Sequence, residues 1–456
     1  MMKTSSYLKI ERKDDYFYVY HTLFGNLSVL DEYAMGLLLN YDSAVELSPE
    51  DKDLVSALED NFFLVDEFDE ERIIDQEVNN RKIANDGRLL TGLQLIVSNF
   101  CNFKCKYCFL NEEHKLRDNS EANAPSNMDE KTADAAIDFL IETIKKNGNK
   151  ALTIEFFGGE PLVNWRVIKH VFDRYEDGKG HDIKIYYTIT TNGSLISDEI
   201  LDYFEKYDVS LIVSYDSPKS KERILSNQSD IHQVLYPVFE RMKNRRITKS
   251  FNSVISRYTI KNYDYVGLVD LAINYSIDNI GLILDLDVEL FGDNYSCQDI
   301  VELLYNTYEY GKSKGIGVTG YWEKMYAQIN NHEEPFYIKG YKACPAVGCK
   351  ISVEPSGDIF ACKCCPTKIG EIDNPEGMTQ GTPYREYVER IYTNCDACDM
   401  CELKAFCSGV CVGSLEKKGS KYGQDTNLCY IYKQITRKLI INTPIEDVST
   451  TIIRKR

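Results

Sequence analysis

Between Leu90 and Lys314 the sequence alternates apolar, strand-like runs with amphipathic, helix-like segments. Each run is almost continuous in apolar and β-branched residues, as is typical of parallel strands that are buried on both faces. The helix-like segment DEKTADAAIDFLIETIKK repeats its apolar residues at spacings of three and four, which indicates one buried helix face. The six strand-like runs are LLTGLQLIV, ALTIEFF, KIYYTITT, SLIVSYD, SFNSVIS and NIGLILDL.

Six strand-then-helix pairs predict an α/β fold of (βα)6 type, either a doubly wound sheet or a partial TIM barrel. In both folds ligands bind at the carboxyl ends of the strands. We therefore expect the functional residues directly after these runs.

The two flanks of this region have different patterns. Residues 1–75 begin with strand-like alternation in YLKIERKDDYFYVYHTL, followed by two short helical patterns and a closing strand, which predicts a small, winged-helix-like α+β domain. We predict a charged linker at 76–89, the barrel at 90–320, and a cysteine-rich domain at 321–456. That last segment has little periodicity, so we expect bound metal to supplement a thin core.

Charge and cysteine content limit the function classes. The formal net charge of -18 argues against nucleic acid and anionic membranes as partners, and favours a small molecule or a peptide. We find no signal-peptide pattern and no apolar stretch of membrane-spanning length, so we expect a cytoplasmic protein. Fifteen cysteines in a reducing compartment indicate metal binding and not disulfides.

Three cysteines form a C-x3-C-x2-C pattern in CNFKCKYCF, directly after the first strand-like run. They are Cys101, Cys105 and Cys108. Three thiolates leave one position of a four-ligand metal site open. From the spacing alone, a zinc site with a distant fourth ligand and three buried thiols remain alternatives.

The strand ends that follow give this pattern a context. Gly158-Gly159-Glu160-Pro161 follows the second run, Thr191-Asn192-Gly193 the third, and Ser214-Tyr215-Asp216 the fourth. Together with the triad and Tyr107, these segments resemble the signature motifs of the radical S-adenosylmethionine (SAM) superfamily. The resemblance implies that SAM is contacted by Tyr107, Gly158, Gly159, Glu160, Asn192, Ser214 and Asp216. Arg223 is a further candidate for the cofactor carboxylate, although an exposed charge is the simpler interpretation.

The same resemblance implies the chemistry of the open position. The triad would hold a 4Fe-4S cluster whose fourth iron binds SAM, and an electron donor such as flavodoxin or ferredoxin would reduce it. Reductive cleavage of SAM would then give a 5′-deoxyadenosyl radical.

The later cysteines resemble the SPASM extension of this superfamily, which carries two auxiliary 4Fe-4S clusters and would bring the total to three. A pair of zinc knuckles is the alternative. The family pattern assigns Cys344, Cys349, Cys362 and Cys411 to one cluster. It assigns Cys398, Cys401, Cys407 and Cys429 to the other. The remaining thiols are interpreted as free cysteines: Cys297, Cys364, Cys365 and Cys395.

SPASM enzymes mostly modify peptides, and residues 1–75 loosely resemble the domain with which many peptide maturases bind a leader peptide as an added strand. The sequence therefore predicts a maturase that forms a thioether crosslink in a ribosomally made precursor peptide. Another C-C or C-O crosslink is an alternative, as is formylglycine formation of the anaerobic sulfatase-maturase type. Those maturases place an aspartate where this chain has Lys363. A metalloprotein that only binds peptides is the non-enzymatic alternative.

Overall fold

The computed structural model describes residues 2–42, 46–66, 68, 70–72, 75, 87–108, 110, 126–285, 295–330, 344, 346, 348–389, 396–407 and 409–454. Most of the predicted linker (76–86) and Cys395 lie outside the described residues. The division into domains at residues 75, 89 and 320 stays a prediction.

The N-terminal part contains a two-stranded and a four-stranded sheet. In the first, β1 pairs with β5, and in the second β2, β3 and β4 form an antiparallel meander. Asp31 caps α1 by accepting a hydrogen bond from the backbone N–H of Ala34. These elements are β1 (Met2–Thr4), β2 (Leu8–Lys13), β3 (Tyr16–His21), β4 (Gly25–Asp31), α1 (Glu32–Leu39), α2 (Pro49–Asp60) and β5 (Leu64–Asp66).

The central sheet contains the six predicted strands in chain order, each parallel to its neighbour. Sequential parallel order is that of a partial (βα) barrel, because a doubly wound sheet reverses its strand order. A short seventh strand extends the series beyond the predicted six. The strands are β6 (Gly92–Ser98), β7 (Ala151–Gly158), β8 (Lys184–Thr191), β9 (Ser210–Ser214), β10 (Lys249–Ile255), β11 (Asn279–Leu284) and β12 (Gly317–Thr319).

The intervening helices cover the outside of this sheet. In α3 the six buried residues are those on the predicted apolar face, and Asp129 caps the helix by accepting from the backbone N–H of Thr132. The barrel helices are α3 (Glu130–Lys146), α4 (Trp165–Tyr175), α5 (Asp198–Lys206), α6 (Ile231–Lys243), α7 (Tyr265–Asn274) and α8 (Cys297–Lys314).

The segment after the barrel is more regular than its sequence pattern predicts. Strand β13 pairs in parallel with β6 and continues the central sheet into β14 and β15, whereas β16 pairs with β4 of the N-terminal sheet. The long helix α13 packs on α8 and α9, so this part shares the barrel's apolar core. The elements are α9 (Tyr321–Ile329), β13 (Lys350–Val353), β14 (Asp358–Phe360), β15 (Lys368–Glu371), α10 (Thr382–Val388), α11 (Asp396–Asp399), α12 (Val412–Lys417), α13 (Thr426–Ile441) and β16 (Thr450–Ile452).

No helix in the described part of the chain is both long and apolar enough to span a bilayer.

Candidate active site

A cavity of about 240 Å³ lies at the carboxyl ends of the barrel strands. The loop after β6, residues near or after the ends of β7 to β11 and the segment after β14 contribute to its wall. Of the predicted site residues it is lined by Cys101, Cys105, Tyr107, Cys108, Gly158, Gly159, Asn192, Ser214 and Cys411. The structure therefore brings the cysteine triad and most of the predicted SAM contacts to one place.

The cysteine loop is held by the segment that follows β9. The backbone N–H groups of Lys104 and Lys106 donate to the carbonyls of Ile224 and Glu222 at 2.6 and 3.1 Å. Cys101 is exposed, Cys108 is half-buried and Cys105 is buried. Burial raises the pKa of the Cys105 thiol to about 12, so binding a metal cluster there must release a proton.

The two glycines after β7 are required by the backbone of the cysteine loop. An added Cβ at Gly158 would lie 2.1 Å from the carbonyl oxygen of Ser98, and Gly158 has a φ of +148°. An added Cβ at Gly159 would lie 2.5 Å from the carbonyl oxygen of Phe100. These glycines therefore allow β7 to approach the start of the loop as well as to border the cavity.

Glu160 is buried beside the cavity and does not line it. Its carboxylate accepts hydrogen bonds from Thr191 Oγ1 at 2.6 Å, from Asn192 N at 2.7 Å and from Leu162 N at 3.0 Å. Burial raises the pKa of Glu160 to about 7 despite these three donors. The carboxylate thus joins the end of β7 to the end of β8.

Asp216 also lies behind the cavity wall, fully buried. It accepts from Tyr107 Oη at 2.5 Å and from Val254 N at 3.0 Å, and it faces Arg223 Nε at 3.3 Å. Arg223 is not the exposed charge that the sequence favoured, because its side chain is only 10% exposed and lines the cavity. Sequence position alone could not reveal that Asp216 neutralises it.

Asn192 links β8 to the cysteine loop. Its side-chain amide donates to Asn102 Oδ1 at 2.8 Å and lies 4.0 Å from Cys101 Sγ. Two cavity residues that the sequence did not single out are Asn252 and Asp285. Asp285 lies near the end of the predicted strand NIGLILDL, which was a usable signal, whereas Asn252 lies within SFNSVIS.

A further part of the wall is formed by Lys363 and Cys364, which follow β14, and by Cys411, which directly precedes α12. Lys363 Nζ lies 3.0 Å from the centroid of the Phe157 ring, and its backbone N–H donates to Gln94 Oε1 at 3.1 Å. Burial lowers the pKa of Lys363. The Lys363 side chain, whose position matters for the sulfatase-maturase alternative, therefore reaches the cavity.

Three of the four cysteines predicted for the first auxiliary cluster lie near one residue. Cys344 raises the pKa of the Tyr321 phenol most, and Cys362, Cys364 and Cys411 raise it further, so these four thiols lie in its neighbourhood. The thiol of Cys364 is hydrogen-bonded to those of Cys362 and Cys411. Cys364 was interpreted as a free thiol, but it lies within this group. Cys349 is fixed at its backbone carbonyl, which accepts from the N–H groups of Thr91 and Gly92.

The second predicted set lies around the start of α13. Burial raises the pKa of Cys429, and the neighbouring Cys401 raises it further. Gln424 Nε2 donates to Cys398 Sγ at 3.8 Å. Burial likewise raises the pKa of Tyr432, whose other neighbours include Cys407 and Cys411. Tyr432 therefore lies near cysteines of both groups.

Cysteine thiolates are the usual ligands of iron-sulfur clusters, so these thiols are suited to hold such clusters. Three cysteines border one cavity, and further cysteines lie in two groups within the C-terminal segment. Across the described ranges, no three potential ligands converge at the distances of a single metal ion. The cysteine thiols thus lie in groups, but they are not arranged to bind a single metal ion.

Comparison with known proteins agrees with this geometry. The family model of the radical SAM superfamily matches residues 95–262. The chain is 36% identical to the radical SAM cyclopropyl synthase TigE of Paramaledivibacter caminithermalis, over 96% of this chain and 95% of that protein. It therefore belongs to the radical SAM superfamily. It is accordingly an enzyme that uses SAM and a 4Fe-4S cluster.

Two solved structures share the fold. Native anSMEcpe with bound AdoMet has a TM-score of 0.61 at 19% identity, over 77% of this chain and 98% of that one. SuiB of Streptococcus suis bound to its precursor peptide SuiA has a TM-score of 0.56 at 19% identity, over 94% of this chain and 99% of that one. The predicted α/β radical SAM fold is thereby confirmed.

Proposed function

We propose that this enzyme forms a cyclopropyl group on a residue of a peptide substrate. The observation that carries the proposal is the 36% identity to a cyclopropyl synthase along almost the whole of both chains. That identity extends through both flanks of the barrel, where substrate recognition and the auxiliary cysteines are expected. A cyclopropyl group is a C-C crosslink within one residue, and a C-C crosslink was among the alternatives left open by the sequence.

The reaction balances as a two-hydrogen oxidation of the substrate. When bound, the reduced cluster and SAM supply a 5′-deoxyadenosyl radical that takes one hydrogen atom from an unactivated carbon. The substrate loses its second hydrogen as a proton and an electron while the new C-C bond closes the ring. That electron would pass to an auxiliary cluster held by the set that includes Cys411, and Cys411 itself lines the cavity.

The chain's own residues bind and shield the reactants. Cys101, Cys105 and Cys108 would hold the SAM-binding cluster, and Tyr107, Gly158, Gly159, Asn192 and Ser214 would contact SAM from the wall. Glu160 and Asp216 would act through other residues, because neither lines the cavity. We also propose two auxiliary 4Fe-4S clusters with the predicted cysteine sets, and reduction by a flavodoxin or ferredoxin.

A peptide substrate is supported by the solved relatives. SuiB was solved with its precursor peptide, and anSMEcpe was solved with the Cp18Cys peptide. The antiparallel meander β2–β4 of this chain is suited to bind an extended leader segment by strand addition. We therefore assign leader recognition to the N-terminal sheet and the chemistry to the barrel cavity.

Two other reactions differ from cyclopropyl formation in a measurable way. Formation of a thioether, the crosslink predicted from the sequence, also removes two hydrogens but consumes a cysteine thiol. Formylglycine formation replaces the thiol of a cysteine by an aldehyde oxygen, or removes two hydrogens from a serine, and Lys363 in place of the maturase aspartate argues against it. Mass therefore separates cysteine-derived formylglycine from the crosslinks, a carbonyl reagent detects the aldehyde of serine-derived formylglycine, and thiol alkylation separates the two crosslinks.

The test is to co-express the chain with short peptides encoded beside its gene and to analyse them by mass spectrometry. The proposal predicts a peptide that has lost two hydrogens and takes up as much iodoacetamide as the unmodified peptide. Loss of one alkylation site would assign a thioether. Cyclopropyl ring protons in the NMR spectrum of the product identify the group directly.

A further inference from the structure

One edge of the N-terminal sheet is occupied by a strand from the far end of the sequence. Strand β16 pairs in parallel with β4, with Thr450 opposite Ser28, Thr451 opposite Val29 and Ile452 opposite Leu30. Only three residues pair, in contrast to the six of β2 with β3. Short pairings are held by few backbone hydrogen bonds, so this edge is weakly covered.

The opposite edge of the sheet is less accessible to a new strand. Strand β2 packs against α13. Arg437 of that helix forms an ion pair with Glu11 at 2.8 Å, and Lys13 donates to Asn442 Oδ1 at 2.9 Å. The edge at which an extended peptide can join this sheet is therefore that of β4, where it would take the place of β16.

A single apolar side chain anchors β16. Ile452 is 2% exposed and joins a small cluster whose other members all lie between Val19 and Leu64, including Leu30 and Leu58. Its neighbours Thr451 and Ile453 are exposed. The groove between β4 and α2 thus receives one apolar residue from an extended segment.

Two residues after Ile452, the side chain of Arg454 contacts acidic and aromatic residues at the rim of this groove. The Arg454 guanidinium lies 4.1 Å from the centroid of the Tyr33 ring and 3.5 Å from Glu50 Oε2. Its backbone N–H donates to Asp31 Oδ2 at 2.9 Å. This rim is complementary to a positively charged residue.

We infer that β16 is a displaceable strand that occupies the site of an extended segment of the peptide substrate. That segment carries an apolar residue followed, two positions later, by Lys or Arg, and it pairs with β4 in place of β16. The inference rests on the proposed function, since it requires a peptide substrate. Because β16 and the peptide segment compete for the edge of β4, a change that releases β16 strengthens peptide binding.

The test uses the full chain and a fluorescein-labelled peptide of residues 446–454 as the probe. Ile452→Asp and Arg454→Glu each weaken the β16 anchor, the second without touching the apolar cluster. We expect both variants to bind the probe at least about tenfold more tightly than the parent protein in fluorescence anisotropy. A probe carrying the Ile452→Asp change should not bind, and an Ile453→Ser protein should behave like the parent.

The inference is overturned if Arg454→Glu, with parental iron content and circular dichroism, binds the probe no better than the parent. Equal binding of both probes by all proteins also overturns it. Cleavage of SAM is measured in parallel and should be unchanged in every variant. A negative binding result with normal SAM cleavage rejects the displaceable strand alone, whereas absence of SAM cleavage in the parent counts against the proposed function.

Discussion

Tyr107 Oη donates a 2.5 Å hydrogen bond to Asp216 Oδ2, and this bond joins the cysteine loop to the segment after β9. Asp216 also accepts from Val254 N at the end of β10. One buried carboxylate therefore positions three strand ends around the cavity without lining it. We regard Asp216 as a positioning residue that fixes the ring of Tyr107.

Asp216→Asn tests this role. The amide retains one acceptor but directs a second donor toward the phenol or the guanidinium, so we expect about tenfold weaker SAM binding. The dissociation constant for SAM and the rate of 5′-deoxyadenosine formation check this. Asp202→Asn, at an exposed surface ion pair, is the control. Equal behaviour of the two variants would show that the buried carboxylate has no positioning role.

Gly158→Ala should disturb the cysteine loop. The added Cβ meets the Ser98 carbonyl oxygen at 2.1 Å, and the φ of +148° strains any other residue, so we expect a loss of about 3 kcal/mol. Thermal unfolding and iron content after reconstitution are the measurements. The matched control is Gly180→Ala, where an added Cβ meets no atom within 4 Å. A stable, fully loaded Gly158→Ala protein would contradict the assignment.

Glu160 predicts a defined pH dependence of stability. Its pKa is raised from 4.5 to about 7 in the folded chain, so the folded state holds a proton that the unfolded state releases in this range. This contribution is complete below pH 4.5 and is lost as the pH rises through 7, by roughly 3 kcal/mol at most. Glu160→Gln removes it. Without SAM, the melting temperature of the parent should therefore fall relative to the variant between pH 4.5 and 7.5. A constant difference would reject this account.

Lys363→Met tests the part of the cavity wall that follows β14. The change keeps an unbranched side chain of similar length and removes the amino group beside Phe157. We expect peptide modification to fall by about tenfold or more while SAM cleavage without peptide stays near the parental rate. Lys363→Arg should retain more modification than Lys363→Met. An equal loss of both activities would place Lys363 on the SAM side of the cavity.

Local sequence patterns were sufficient for the barrel and for its loops. The predicted strand KIYYTITT coincides with β8, and each motif identified at a strand end lies at the carboxyl edge of the sheet. The spacing of apolar residues indicates which face of a helix or strand is buried. The parallel βα order then brings the ends of successive strands together. That is why the triad, Gly158 and Asn192 could be placed beside one another before the structure was known.

Pairings between distant segments could not be predicted in this way. Strands β13 and β16 join β6 and β4 across most of the chain, and no local pattern specifies such partners. Arg223 has an ordinary sequence context, and only the fold places it against Asp216. Cys364 likewise became part of a cysteine group only through the turn that brings it to Cys411.

The central claim is that the Cys101–Cys108 loop holds the cluster at which SAM is cleaved. The direct measurement is 5′-deoxyadenosine formation by the anaerobically reconstituted protein with SAM and dithionite. We expect formation in the parent and in Cys297→Ala, and none in Cys105→Ala, whose iron content should fall by about four atoms per chain. Undiminished 5′-deoxyadenosine from Cys105→Ala, or none from a fully loaded parent, would contradict the claim.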